Sequence, residues 1–335
     1  MGDVTALSWE ESRPDEPVTA PVVLTLFVPL DVLGEQARAY AEDGHAENTR
    51  RGYRADWQAF TRWCAARDLP GLPAAPTTLA LYLTDQAEVL KVSTLQRRLA
   101  AIGQAHRLKG YASPTEDAAL RAVWRGIRRT KGTAQVGKAA LLTNDLRALM
   151  LVLPTTAIGV RDRAILLLGF AGAFRRSELV ALDVADVQTT REGLIVTIRR
   201  SKTDQEGQGA KLGIPRGQHP GTCPVRALQA WFEVAGIDQG AIFRPITRHG
   251  LIQPGRLTDR SVARIVQRAA AAAGLDPAQF AGHSLRAGLA TSAAMAGAEE
   301  RDIMRQTRHK SVVVARRYIR DGSLFRNNAA ATVGL

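Results

Sequence analysis

Six side chains in the C-terminal half are of the types needed to cut a phosphodiester: Arg175, Lys202, His283, Arg286, His309 and Tyr318. The chemistry would be attack of the Tyr318 oxygen on phosphorus, in line with a leaving 5′ oxygen. Charge then builds on the non-bridging oxygens. Guanidinium groups hold such charge well because they stay protonated and bind bidentately, so two fixed arginines are the first requirement. A phenol with an ordinary pKa of about 10 needs a base or a positive field to lose its proton. The leaving alkoxide needs an acid, which a lysine on a loop tip can supply. A set that carries its own positive charge makes a divalent cation unnecessary, so the reading is of a site with no metal and no cofactor.

Spacing ties these residues together. Arg175-Arg-Ser-Glu178 and His283-Ser-Leu-Arg286 each place two polar groups three positions apart, one helical turn, and His309 lies nine positions before Tyr318. Each piece also has an ordinary reading: an intrahelical ion pair for Arg175 and Glu178, a solvated turn for Lys202-Thr-Asp, a surface tyrosine for Tyr318. The functional reading rests on their order, spacing and context together.

The elements that must position them are mostly helical. Tyr53, Trp57, Phe60 and Cys64 form one apolar face and predict a helix over about Thr49–Arg67. A second helix is expected from Pro76. A third is expected from Ser93, with Gln96 completing a capping box, and a fourth from Ser113-Pro-Thr-Glu116 with cap, N1 proline and reciprocal acid. Leu120, Val123, Trp124 and Ile127 should face inward on the fourth. These make a four-helix domain over 35–130. Residues 131–142, small, polar and basic, read as a linker. Thr143 should cap the next helix, and Arg161–Leu182 should form two packed helices broken near Gly172. Leu194–Ile198 and Ala210–Ile214 read as a strand pair whose turn, Lys202–Gly209, carries Lys202. Further helices are expected at 224–236, 258–273, 284–296, 299–306 and 311–319. The tail, 322–335, offers a short helix capped by Ser323, folded on its own domain or docked into a neighbour. Residues 1–34 read as a loose leader with a short ordered piece at 22–30.

The net charge of +13 and pI of about 10.5 point to a polyanion. Residues 1–34 carry one basic and six acidic side chains, residues 35–142 seventeen and ten, and residues 143–335 twenty-seven and sixteen, so both domains are basic and the leader is not. The basic side chains of the first domain available to a phosphate backbone are Arg50, Arg51, Arg54, Arg97, Arg98, Arg107, Lys109, Arg125, Arg128, Arg129 and Lys131. Arginines at adjacent turns repel unless an anion lies among them. The apolar run Ala164–Phe174 is too short to span a bilayer, and the N-terminus has no signal-peptide pattern, which sets membranes behind nucleic acid. Cys64 and Cys223 stand at no metal-ligand spacing, and the chain reads as cytoplasmic, with Cys64 in a core.

The segments Arg161–Leu182 (containing Arg175 and Glu178), Ser201–Gly207 (Lys202), Gly282–Thr291 (His283 and Arg286) and His309 with Tyr318 resemble, in order, the boxes of the tyrosine recombinase (phage integrase) family. Asn48–Cys64 resembles the opening helix of that family's core-binding domain, and the layout is similar over about residues 45–325. The resemblance implies a mainly α, α+β protein. A SAM-like core-binding domain (35–130) and a mixed helical catalytic domain with a small antiparallel β-sheet (143–321) would form a C-shaped clamp on DNA. It implies that Tyr318 is the nucleophile of a 3′-phosphotyrosine link and that Arg175 and Arg286 clamp the phosphate. His283 would be the base toward Tyr318, His309 a donor to the phosphate and Lys202 the acid for the leaving oxygen, with Glu178 orienting the first arginine. It further implies double-stranded DNA with inverted half-sites, a homotetramer on two sites passing through a Holliday junction, trans docking of the tail, and a nucleoid-associated location. The acidic leader is too short for an accessory arm-site domain, so simple core sites are expected. A strand-swivelling type IB topoisomerase uses a similar residue set, and a non-catalytic DNA binder could keep the fold; the two-domain layout and the intact residue set stand against them. Many members have glycine before the third-box histidine. Here it is Arg308, either an added phosphate contact or a tolerated change.

Overall fold

A computed structural model describes residues 32–36, 40, 44, 47–133, 137–199, 204 and 209–323, and the chain divides into two units, Met1–Thr133 and Ala134–Leu335. Most of the described residues are helical. Among them no helix is long and apolar enough to cross a membrane.

The first unit is built from α1 (Glu47–Ala65), α2 (Pro76–Ala87), α3 (Val92–Leu108) and α4 (Ala118–Lys131). Its core is the apolar stripe of each helix: Phe60 and Cys64, Leu79, Tyr82 and Leu83, Leu95 and Ile102, and Leu120. Burying each large member contributes about 1.5–3 kcal/mol. Trp124 and Ile127 pack against it half-buried, and Val123 is half-buried too. The buried histidine of this core is satisfied at both ring nitrogens. His106 Nε2 accepts from the Ala74 amide at 2.9 Å while Nδ1 donates to the Ile102 carbonyl at 2.8 Å.

Two expected caps fail for local reasons. α3 begins at Val92, with extended Lys91 in the cap position, so Ser93 lies inside the first turn and makes no box. Ser113 instead pairs its hydroxyl with that of Thr115 at 2.8 Å, and Pro114–Glu116 closes as a 3₁₀ turn. The cap of α4 is Asp117, whose Oδ1 accepts from the Leu120 amide at 2.9 Å.

The second unit contains α5 (Thr143–Val152), α6 (Ala157–Ala171), α7 (Arg176–Ala181), α8 (Pro224–Ala235), α9 (Asp259–Ala272), α10 (His283–Ala296), α11 (Glu300–Thr307) and α12 (Val312–Ser323). Leu142, not Thr143, holds the cap position of α5, and its amide donates to Asp145 Oδ2 at 2.9 Å. The sheet is β1 (Val187–Thr189), β2 (Gly193–Ile198) and β3 (Ala210–Pro215), antiparallel in that order, with Leu194 opposite Ile214 and Val196 opposite Leu212. Those four side chains and Ile198 enter the core, as alternation on a half-buried sheet requires. β1, only three residues long, carries no pattern that sequence reading could separate from a loop. α6 is apolar on nearly every face because it runs through the middle of the unit, against α8 and α10.

The unit boundaries differ from the expected linker and tail. Lys131 closes α4 rather than opening a linker. Ala139 and Leu141 donate to the carbonyls of Gln279 and Ser284, and Leu141 is fully buried in the second core, so these linker positions belong to that unit. The fit is close: a Cβ on Gly288 would meet the Leu141 carbonyl oxygen at 1.9 Å. α12 continues to Ser323, so residues 322 and 323 extend it and Ser323 opens no new helix. The leader to residue 31, with its expected piece at 22–30, and residues 324–335 lie outside the described residues.

Candidate active site

α10 and α12 pack closely, and Tyr318 with Ile319 lies against Ala290, Ala294 and Ile303. That packing brings the Tyr318 hydroxyl to 2.7 Å from His283 Nε2. On its other side the His309 ring stacks on the Tyr318 ring, centroids 5.8 Å apart and planes at 19°. The phenol is thus held between two imidazoles that the sequence separates by 26 positions.

Arg286, one turn beyond His283, is 1% exposed. Its Nη1 donates to the Ala173 carbonyl at 2.7 Å, and its Nη2 is buried with no hydrogen-bond partner among the described residues. An unspent donor on a buried guanidinium requires an explanation, and an anion is the simplest acceptor. Burial first, then the charges of Arg175 and Arg308, pull the Arg286 pKa down to about 9, while Glu178 and Tyr318 oppose this. It stays charged at neutral pH, and a bound phosphate would relieve the repulsion.

Arg175 caps the start of α7, and Glu178 answers it: Oε2 accepts from the Arg175 amide at 2.9 Å and Oε1 from its Nη1 at 2.5 Å. Burial pushes the Glu178 carboxyl up, but Arg308 and the bonds from Arg175 outweigh it and hold the group below the usual carboxylate range.

His309 touches Thr307, whose hydroxyl lies 2.8 Å from Nδ1 and 2.7 Å from the Ile303 carbonyl. The carbonyl can only accept, so the hydroxyl proton goes to Ile303 and the hydroxyl oxygen accepts from Nδ1–H, which leaves Nε2 of the neutral ring as an acceptor. Burial, followed by the charges of Arg286 and Arg175, lowers the His309 pKa to about 4, so the ring is neutral at neutral pH.

Five of the six expected reactive residues, with Glu178, thus form one connected cluster. Lys202 falls in the sequence between β2 and β3 but lies outside the described residues. Among the described residues no group of three or more His, Cys, Asp or Glu could hold a metal ion. Arg308 spends both terminal nitrogens on protein rather than offering them to a phosphate: Nη1 donates to the carbonyls of Gly172 and Gln306, and Nη2 to Ala173 and to Glu178 Oε2 at 2.9 Å, while its Nε is buried with no hydrogen-bond partner among the described residues. It ends α11 at φ 55°, ψ 41°, a left-handed conformation that favours glycine. Sequence reading missed this role and that of Thr307. The signal for the first was the arginine itself, standing where the family resemblance leads one to expect glycine.

The expected DNA-binding arginines of the first unit divide. Arg98 is largely buried, donating to the Tyr82 hydroxyl at 2.6 Å and to Gln86 at 2.8 Å. Arg97 grips buried Asp56 through Nε at 2.7 Å and Nη2 at 3.1 Å. These two hold α3 to α1 and α2. Arg50 pairs with Glu47, Arg51 bonds Asn48, Arg107 faces Glu116, and Lys131 reaches Glu88. These contacts, mostly at the surface, are weak enough to yield to a phosphate. Arg54, Lys109, Arg125, Arg128 and Arg129 are exposed.

The sequence profile described as the Phage integrase family matches residues 140–323. An integrase/recombinase XerD homolog of Selenomonas ruminantium is 43% identical over 301 residues, 89% of this chain and 88% of that protein. In fold, the chain is similar to a lambda integrase dimer bound to a COC′ core site, at TM-score 0.61 and 18% identity over 86% of this chain and 94% of that one. It is similar also to a lambda integrase tetramer bound to a Holliday junction, at TM-score 0.60 and 18% identity over 87% and 76%.

Proposed function

This chain belongs to the phage integrase family and is a tyrosine site-specific recombinase acting on DNA, and we propose that it cuts and rejoins strands through Tyr318 held in the active site of its own protomer. The observation that carries this reading is the 2.7 Å contact between the Tyr318 hydroxyl and His283 Nε2 within one chain. A base at hydrogen-bond distance is the geometric requirement for making the phenolate as it attacks.

In the proposed reaction Tyr318 Oη attacks phosphorus and passes its proton to His283. Arg286, through its unspent Nη2, and Arg175 take the non-bridging oxygens. His309 donates from Nε2 to one of them once its ring takes up a second proton there, a form that a bound phosphate favours. Lys202 protonates the departing 5′ oxygen. The product is a 3′-phosphotyrosine, which keeps the phosphodiester's bond energy, so rejoining to a second strand needs no nucleotide. Fixed donors aimed at the developing charge are the main source of acceleration, and losing one costs about 10²–10³-fold.

The likeness to a lambda integrase tetramer on a Holliday junction supports assembly of four protomers on two sites, and inverted half-sites read by one protomer each remain part of the proposal. Contact of Arg54, Arg125, Arg128 and Arg129 with the phosphate backbone belongs to the same reading, as does a cytoplasmic, nucleoid-associated location.

A nicked suicide duplex tests the proposal. Wild-type protein should form a covalent adduct, and Tyr318→Phe should form none while still shifting the duplex on a gel. An adduct with Tyr318→Phe would place the nucleophile elsewhere.

A further inference from the structure

We propose that Arg308 is a positioning residue of the reaction centre, holding Glu178 and the 172–175 loop so that Arg175 and Arg286 keep their aim and the site keeps a surplus of positive charge for the phosphate. The proposal rests on the site assignment above.

Arg308 joins three parts of the site. Its backbone sets the left-handed end of α11, immediately before His309. Its guanidinium lies 5.3 Å over the Phe174 ring and donates to the carbonyls of Gly172 and Ala173, so it fastens the loop that delivers Arg175. The Ala173 carbonyl also accepts from Arg286, which ties both arginines of the proposed clamp to one loop. That loop is itself under constraint: Ala173 has φ 45°, and a Cβ on Gly172 would meet the Phe174 ring at 2.2 Å. A non-glycine residue in that region persists only where its surroundings hold it.

Charge gives the second argument. Glu178 is 2% exposed and divides its oxygens between Arg175, at 2.5 Å, and Arg308, at 2.9 Å. Without Arg308 the whole carboxylate would turn on Arg175, cancelling one of the two clamping charges. With it, three guanidinium groups face one carboxylate, a surplus of two positive charges. The pentacoordinate transition state of a diester attacked by phenolate gathers about two negative charges, so the surplus matches the charge that develops. Both terminal nitrogens of Arg308 are engaged within the protein and its remaining donor, Nε, is buried, so it acts through Glu178 and the loop rather than by touching DNA.

The test is single-turnover adduct formation on the nicked duplex, with gel-shift affinity and thermal melting recorded for each variant. Arg308→Gln, which keeps length and loses charge, should slow adduct formation about 10-fold, as loss of an orienting partner does, with DNA affinity unchanged. Arg308→Lys should recover about threefold of that rate, less than the whole because lysine lacks the planar fork. Adding Glu178→Gln to Arg308→Gln should also restore rate, since the unbalanced carboxylate is then gone. A wild-type rate for Arg308→Gln, or a further loss in the double variant, overturns the proposal. Should Arg308→Gln not fold, the double variant is compared with Glu178→Gln alone; a loss of about 10-fold or more between them has the same consequence. Tyr318→Phe, run alongside, separates the two claims: an adduct from it defeats the site assignment, whereas wild-type behaviour of the Arg308 variants beside an inactive Tyr318→Phe defeats this inference alone.

Discussion

Replacing His309 by glutamine should make the protein's stability less sensitive to acid. The folded ring has a pKa of about 4 against an ordinary 6.5, because it is partly buried among Arg286, Arg175 and Arg308. Between those values the unfolded chain takes up a proton that the folded chain refuses. Stability is therefore lost as pH falls from about 6.5 and the loss levels off below about 4. At about 1.4 kcal/mol per decade of proton affinity, the full shift would be worth about 3 kcal/mol. Solvent reaches part of the ring, and screening brings the expected effect to about 1–2 kcal/mol. Urea unfolding at pH 7.5, 6.0, 5.0 and 4.5 gives the free energy for both proteins. Carboxylates such as Glu178 also titrate on acidification, so the readout is the difference between wild type and His309→Gln as a function of pH. The difference should change by about 1–2 kcal/mol across the window, in the direction that favours the variant at low pH. Parallel curves would refute the claim that the arginine cluster holds His309 neutral. Titration of the His309 ring proton by NMR checks the same point directly.

Other consequences concern DNA and assembly. Arg98→Ala should lower the unfolding free energy of the first unit by about 1–3 kcal/mol, since it strands the Tyr82, Gln86 and Asp56 groups it now contacts, with a small effect on DNA affinity. Arg125, Arg128 and Arg129 changed together to glutamine should do the reverse, leaving stability near wild type and reducing the slope of log affinity against log salt by about one per lost phosphate contact. An unchanged slope would remove this face of α4 from the DNA interface. Deleting residues 324–335 should reduce recombination and tetramer formation on DNA, measured by sedimentation, with single-site binding retained. Loss of single-site binding would make the tail part of the fold rather than an assembly element.

Reading by spacing worked where one element carries the whole pattern. The helical stripes of Phe60 and Cys64, or Leu95 and Ile102, appear as core, and the alternation of Leu194, Val196 and Ile198 appears as a strand. His283 and Arg286 are joined by one turn of α10, so their grouping was legible too. Partners brought together only by tertiary packing were not. Arg97 and Arg98 look like Arg125 and Arg128 in sequence, yet Asp56, 41 positions from Arg97, claims both of the first pair. The choice of Asp117 over Ser113 as a cap depended on which side chain was free, and Ser113 was already bonded to Thr115. Arg308 marked itself as unusual by residue type, but its destination, Glu178, lies 130 positions away.

The central claim is that Tyr318 becomes joined to the 3′ end of the cut strand. Trapping wild-type protein on the nicked duplex, digesting the adduct and sequencing the modified peptide by mass spectrometry tests it most directly. The expected product is a nucleotide attached through its 3′ phosphate to the Tyr318 oxygen. A nucleotide on any other residue, or one attached through its 5′ phosphate, would contradict it.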